Sequence, residues 1–166
     1  MTKRRKTNSL PVINGYQLTQ PWSTSGSAQW SFAEKGHQKW FIKQFIAPKF
    51  KRESDGVSKE QAQRARIRCE EFRKRQEAFY NQIRMANTGN VVAVTDFFSF
   101  GTYFYAVSPK IENMGLNPPE ISALPAEQKY ILLKILSYNL MVLHQEKIVH
   151  ADLKPDNILI KKTLKG

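Results

Sequence analysis

The chemistry of this chain is concentrated in one short run, IVHADLKPDNILI, at residues 148–160. His150, Asp152, Lys154 and Asn157 fall there at the spacing H-x-D-x-K-x-x-N, between apolar flanks. Each residue type suits one part of a group transfer. A carboxylate at Asp152 accepts a proton from an attacking hydroxyl. Lys154 lies two positions on, on the same side of an extended loop, and neutralises a transferring phosphoryl group. Asn157 offers an amide oxygen to Mg²⁺. Pro155 stiffens the bend. The plain alternative is an ordinary polar turn after a helix. That alternative leaves unexplained why Asp, Lys and Asn hold these spacings together.

Such a turn needs elements to position it. Strand-like runs cover residues 16–20, 28–35 and 38–45, and the last two flank Gly36-His37, a natural hairpin turn. Between the first two lies PWSTSGSA, small and polar, which reads as a flexible loop. After a charged linker over 46–57, Ser58 and Gln61 form the pattern of a capping box. A long helix should run from there to about Ala86, with Phe72, Phe79 and Ile83 as its apolar stripe, and end at NTGN. Residues 91–100 and 102–111 read as two more strands joined at Gly101, and NPPEISALP as a loop or short turn. A second long helix over 126–146 is apolar on most sides and should be buried. No internal repeat is found. An antiparallel sheet carrying one helix, followed by a helical section, is an α+β arrangement.

Composition narrows the function classes. The chain has 166 residues and 41% hydrophobic content, which is globular composition. Its net charge of +12 suits polyanionic partners, although excess Lys and Arg also simply solvate a surface. Lys3, Arg4, Arg5 and Lys6 lie in a basic start, residues 1–12, read as a flexible tail without the apolar core of a secretory signal. Cys69 is the only cysteine, which excludes an internal disulfide and a thiolate zinc cluster and fits a reducing, cytoplasmic setting. The most apolar run, 131–143, is too short to cross a bilayer and is broken by Lys134 and Asn139, so no membrane partner is expected. RARIRCEEFRKR interleaves Glu with its Arg and reads as the exposed side of a helix, which places nucleic acid last among partners.

The run at 148–160 resembles the catalytic loop of the eukaryotic-type protein kinases, whose pattern is H-R-D-L-K-x-x-N. The resemblance implies Asp152 as catalytic base, Lys154 as the residue that neutralises the γ-phosphate, and Asn157 as a metal ligand. It makes His150 a packing residue of the loop. Lys154 inclines it toward Ser/Thr rather than Tyr specificity. WFIK, ending at Lys43, sits where the family has V-A-I-K, so the resemblance assigns Lys43 to the α- and β-phosphates. Its helix partner would be Glu77, with Glu70 and Glu71 as alternatives. AVSPKI resembles the hinge that meets the adenine. There Val107 guards the back pocket, and the Ser108 carbonyl and Lys110 amide face the base edge. On the phosphate loop G-x-G-x-x-G-x-V, the positions fall on Ser23, Ser25, Ala28 and Trp30, with Gly26 the one glycine. Phe41 takes the small Ala position against the adenine. Bulky Phe41 and Trp30 would narrow that slot, or stack on a base that enters differently.

What the resemblance implies overall is a kinase-like small lobe, an antiparallel sheet plus one long helix over residues 13–110. The first helical part of a large lobe and the catalytic loop follow over 111–166. Its partners are ATP, Mg²⁺ and a protein substrate. Ala151 stands where the family has Arg, so activation by phosphorylation of a downstream loop is not expected. No D-F-G segment appears before Gly166, so the chain is read as an incomplete kinase domain, poorly active alone. An unsupported helix at 126–146 would then bind the missing lobe or self-associate. Two other functions compete: a small-molecule phosphotransferase of similar fold, which usually lacks the Lys, and a pseudokinase scaffold, for which nucleotide is optional.

Overall fold

The structure is a computed structural model that describes residues 10–87, 89–112 and 118–160. Lys3, Arg4, Arg5 and Lys6 of the basic tail lie outside the described residues, as does part of NTGN. Among the described residues, seven strands form one antiparallel sheet. They are β1 (Val12–Ile13), β2 (Tyr16–Leu18), β3 (Ser23–Ser25), β4 (Ala28–Lys35), β5 (Gln38–Phe45), β6 (Asp96–Phe100) and β7 (Tyr103–Pro109). The order is β1-β2-β4-β5-β7-β6, with β3 also pairing β4. The β4–β5 hairpin turns at Gly36 and His37, both at positive φ, as a two-residue turn that follows strand twist requires.

The sheet curls onto itself. Tyr16 on β2 donates its hydroxyl to Asp96 Oδ2 on β6 at 3.1 Å, and its ring stacks on Phe98 with centroids 6.0 Å apart. These strands stand far apart in sheet order, so the contact demands strong curvature. Ile13, Tyr16, Leu18, Ala33, Ile42, Tyr105 and Val107 make the core on the concave side. Strand side chains alternate between faces, so Phe45, Phe104 and Phe97 project from the other side. There they receive Cys69 and Phe72 of helix α1 (Lys59–Ala86). The Phe45–Phe72 and Phe72–Phe104 ring centroids are 5.1 and 5.2 Å apart.

The start of α1 is set by the expected capping box. The Ser58 amide donates to Gln61 Oε1, and the Gln61 amide donates to Ser58 Oγ, both at 3.2 Å. PWSTSGSA, expected to be a flexible loop, instead contains β3 and a tight turn into β4. Ser23, Thr24 and Ser25 pair with Trp30, Gln29 and Ala28. Gly26 at φ +55° is the turn residue that a side chain would strain. The run expected as a loop or short turn contains helix α2 (Pro118–Ala123).

Contacts divide the chain into two units. One holds the residues to Glu77 together with Val94–Lys110; the other holds Ala78–Ala93 and the residues from Ile111 on. In the second unit, helix α3 (Ala126–Gln145) ends in a Schellman turn. The Ile148 amide donates to the Leu143 carbonyl and the Lys147 amide to the His144 carbonyl, each at 2.9 Å, with Lys147 at φ +59°. Ile148 and Leu143 are both buried, which is the apolar contact that accompanies this turn. Gln82 Nε2 donates to the Glu146 carbonyl at 2.6 Å, tying the last turns of α1 to the same corner. The expected burial of α3 is only partial. Asn139 and Leu143 are buried, whereas Tyr130, Ile131, Leu133, Ile135, Tyr138 and Met141 are exposed. No helix among the described residues is long and apolar enough to cross a membrane.

Candidate active site

The Schellman turn at the end of α3 delivers the chain into the loop. With Ile148 anchored, Ala151 bends the backbone through φ +59°, and the Asp152 amide donates to the His150 carbonyl at 2.9 Å. His150 itself is exposed, so it does not pack the loop; the buried Ile148 does that work instead. A 3-10 turn at Pro155–Asn157 then folds Asn157 back toward Asp152. Asn157 Nδ2 donates to the Asp152 carbonyl at 2.8 Å and to its Oδ2 at 2.9 Å. Lys154 Nζ stands 3.5 Å from the same Oδ2.

The electrostatics follow from these two donors. The Asn157 hydrogen bond first, and the Lys154 charge second, hold the Asp152 carboxyl below its ordinary value of 3.8. Asp152 is therefore ionised throughout the neutral range. Its Oδ2 is the shared acceptor, which leaves Oδ1 to receive a proton. Asn157 spends its NH₂ on Asp152, so its Oδ1 is the atom turned outward and suited to a hard cation. That donor chemistry fits one position around Mg²⁺. Among the described residues no cluster of three His, Cys, Asp or Glu could hold a metal by itself.

The other candidate residues lie on the first unit's sheet. The register pairs Trp30 with Lys43, Phe32 with Phe41, Ser23 with Trp30, Ser25 with Ala28, Phe41 with Ser108, and Lys43 with Ala106. Opposed residues in an antiparallel pair share a face. Ser23, Ser25, Ala28, Trp30, Phe41, Lys43 and Ser108 therefore occupy one side of the sheet, the side that α1 covers at its Phe45–Phe104 end. Phe32, not singled out from the sequence, joins them. Its ring lies 5.6 Å from Trp30 and 6.1 Å from Phe41, and Trp30 stacks on Phe41 at 5.7 Å.

Four expectations are not met by the register and contacts of the sheet. Val107 opposes Ile42 and sits in the concave core, so it cannot guard a pocket beside Lys43; Ala106 is the residue across from that lysine. The Lys110 amide donates to the Lys39 carbonyl at 3.0 Å, so it continues the sheet instead of facing a base edge. Exchanging pairs recur every second residue in such a ladder, which puts Phe41–Ser108 in phase and engages the Ser108 carbonyl too. Single-strand patterns could not reveal this, because it depends on how β7 registers against β5. Lys43 is exposed, with its Nζ 5.2 Å from the Phe45 ring centroid. Among the described residues no carboxylate pairs with it: Glu77 is exposed, and Glu70 pairs with Arg66 at 3.0 Å.

Comparison with known proteins bears on the fold. No family model matches the chain. The chain is 35% identical over 65 residues to serine/threonine-protein kinase D of Synechocystis sp., a stretch that is 39% of this chain and 12% of that protein. Two solved structures of the Mycobacterium tuberculosis PknI kinase domain, a single and a double mutant, superpose with TM-scores of 0.58 and 0.60 at 13% identity. They cover 91% and 94% of this chain, which spans 57% of each of those domains. The fold is thus protein-kinase-like, α+β, with a curled antiparallel sheet and one long helix as its small lobe.

Proposed function

We propose that the complete protein transfers the γ-phosphoryl group of ATP to Ser or Thr hydroxyls of a protein substrate, and that this chain supplies part of that machinery. The observation that carries the reading is the Asp152 turn. Its carboxylate is oriented by Asn157 and kept ionised by Asn157 and Lys154. In the reaction, Asp152 Oδ1 takes the proton of the attacking hydroxyl as the new P–O bond forms and the bond from the γ-phosphorus to the bridging β-phosphate oxygen breaks, releasing ADP. Lys154 balances negative charge on the transferring group. Lys43 holds the α- and β-phosphates. Mg²⁺, when bound, would neutralise phosphate oxygens, with Asn157 Oδ1 as one of its ligands. Positioning and electrostatics supply most of such catalysis.

The test is transfer of labelled γ-phosphate to protein by the complete protein, with and without Asp152→Ala. Loss of a general base should cost about 10²–10⁴-fold in rate. Transfer unaffected by Asp152→Ala would sink the reading, and transfer only to small molecules would replace the substrate class. A scaffold without catalysis is the second reading. It is favoured by the three rings on the Lys43 face and by the lack of a carboxylate partner for Lys43 among the described residues. Under it, no phosphate is transferred by the complete protein.

A further inference from the structure

We infer that the Trp30–Phe32–Phe41 cluster is a stacking platform on which this protein holds the base of a nucleoside triphosphate with little regard to which base it is. The inference rests on the reading that this sheet face takes a nucleotide. Three observations carry it.

The first is the platform. Trp30 and Phe41 lie diagonally across β4 and β5, stacked at 25° between planes, and both are half-buried, so ring surface remains open. Phe32 braces them edge-on at 66° to each. Lys110 Nζ sits 4.1 Å from the Phe32 centroid and covers that ring, which leaves Trp30 and Phe41 as the surfaces for a ligand.

The second is the neighbouring charge. Lys43 opposes Trp30 and lies two residues from Phe41 on the same face, exposed and without a carboxylate partner among the described residues. Ser23, also opposite Trp30, adds a hydroxyl. A flat apolar ring surface beside an uncompensated cation matches a base joined to a polyphosphate. An apolar peptide would leave the cation unmatched.

The third is what the strip lacks. Base identity is read through hydrogen bonds to base edges. Here Pro109 has no N–H, the Lys110 amide is engaged by Lys39, and the Ser108 carbonyl falls in the same ladder. Stacking, by contrast, tolerates any base because every base has a π-face.

Calorimetric titration of the unmodified 166-residue chain with MgATP, MgGTP, MgCTP and inorganic triphosphate tests this. The expected result is ATP and GTP affinities within about threefold, and nucleotides binding at least tenfold tighter than triphosphate. Phe41→Ala should weaken ATP and GTP alike, by roughly 5- to 100-fold, and leave triphosphate unchanged, as stacking energies per base require. ATP binding at least tenfold tighter than GTP would overturn the inference and leave the nucleotide reading standing, because an edge donor outside this strip would then be reading the base. Equal affinity for nucleotides and triphosphate would overturn it too, since the rings would contribute nothing. No binding of any of the four, with Lys43→Met indistinguishable from the parent, would remove the nucleotide reading itself and the inference with it.

Discussion

Asp152 receives two donors that act on one oxygen, and their removal has separable effects. The Asn157 amide both lowers the carboxyl's proton affinity and fixes its plane, whereas Lys154 at 3.5 Å acts mainly through charge. Because the folded value lies below 3.8, the charged carboxylate helps hold the turn at any pH above 3.8. That help is lost as pH falls through the folded value. Asn157→Ala should therefore raise the Asp152 midpoint toward 3.8, read from its side-chain carbon in an NMR titration; an unmoved midpoint would show that the hydrogen bond is not the leading cause. The turn was legible in the sequence because its logic is local, with every partner within five positions of Asp152. The hinge roles of Val107 and Lys110 were not. A residue's face on β7 is decided by pairing with β5, and one step of register moves a side chain to the other side.

At the scale of elements, the signals that read well were those that contain their own mechanism. Ser58 and Gln61 announced the start of α1 because a capping box satisfies two orphan amides at once. Ser58→Ala should cost about 1 kcal/mol in denaturant unfolding. The end of α3 carries no such signal, since Lys147 occupies a left-handed position where glycine is usual. An L-residue there costs about 1–2 kcal/mol, and glycine's extra unfolded-state entropy offsets about 0.5–1. Lys147→Gly should thus stabilise the chain by about 0.5–1 kcal/mol, seen as a higher denaturation midpoint. The curl of the sheet was equally invisible, because Tyr16 and Asp96 are remote in sequence. Burial, then Asp96, pushes the Tyr16 phenol up to about 12, and burial does the same to Tyr80. Unfolding returns both to their ordinary 10, so the folded state binds these protons more tightly. Stability from this source is complete below pH 10 and falls as pH rises toward 12. Tyr16→Phe should be less stable at pH 8 by about 1 kcal/mol for the lost hydrogen bond. Its further loss between pH 8 and 11 should be smaller than the parent's. Equal slopes would show that Tyr16 does not govern the alkaline transition.

Over the whole molecule, apolar surface is distributed unevenly. The sheet is closed by its own curl and by α1, but α3 keeps a broad apolar flank in water. Only one stripe of α3 is covered, with Leu132 and Leu136 half-buried and Asn139 and Leu143 buried. Tyr130 and Leu133 are 67% and 62% exposed, far beyond what a solvated helix face carries by chance. Periodicity foresaw this apolar excess without saying what covers it, since an all-round apolar helix reads the same whether its neighbours are present or not. If a second copy covers the flank, burying roughly 500 Å² of apolar surface at about 25 cal/mol per Å² gives about 12 kcal/mol gross. Association costs about 4–15 kcal/mol in lost freedom, so the net is small, and the dimer should be weak and concentration-dependent. Light scattering on the chain should show mass rising through the micromolar range, and more steeply at higher salt, which screens the repulsion between two copies of net charge +12. Leu133→Glu should abolish that rise while leaving helix content unchanged, since the side chain is solvent-facing in the monomer. A constant monomer mass up to high concentration, in parent and variant alike, would mean that this flank does not pair with itself.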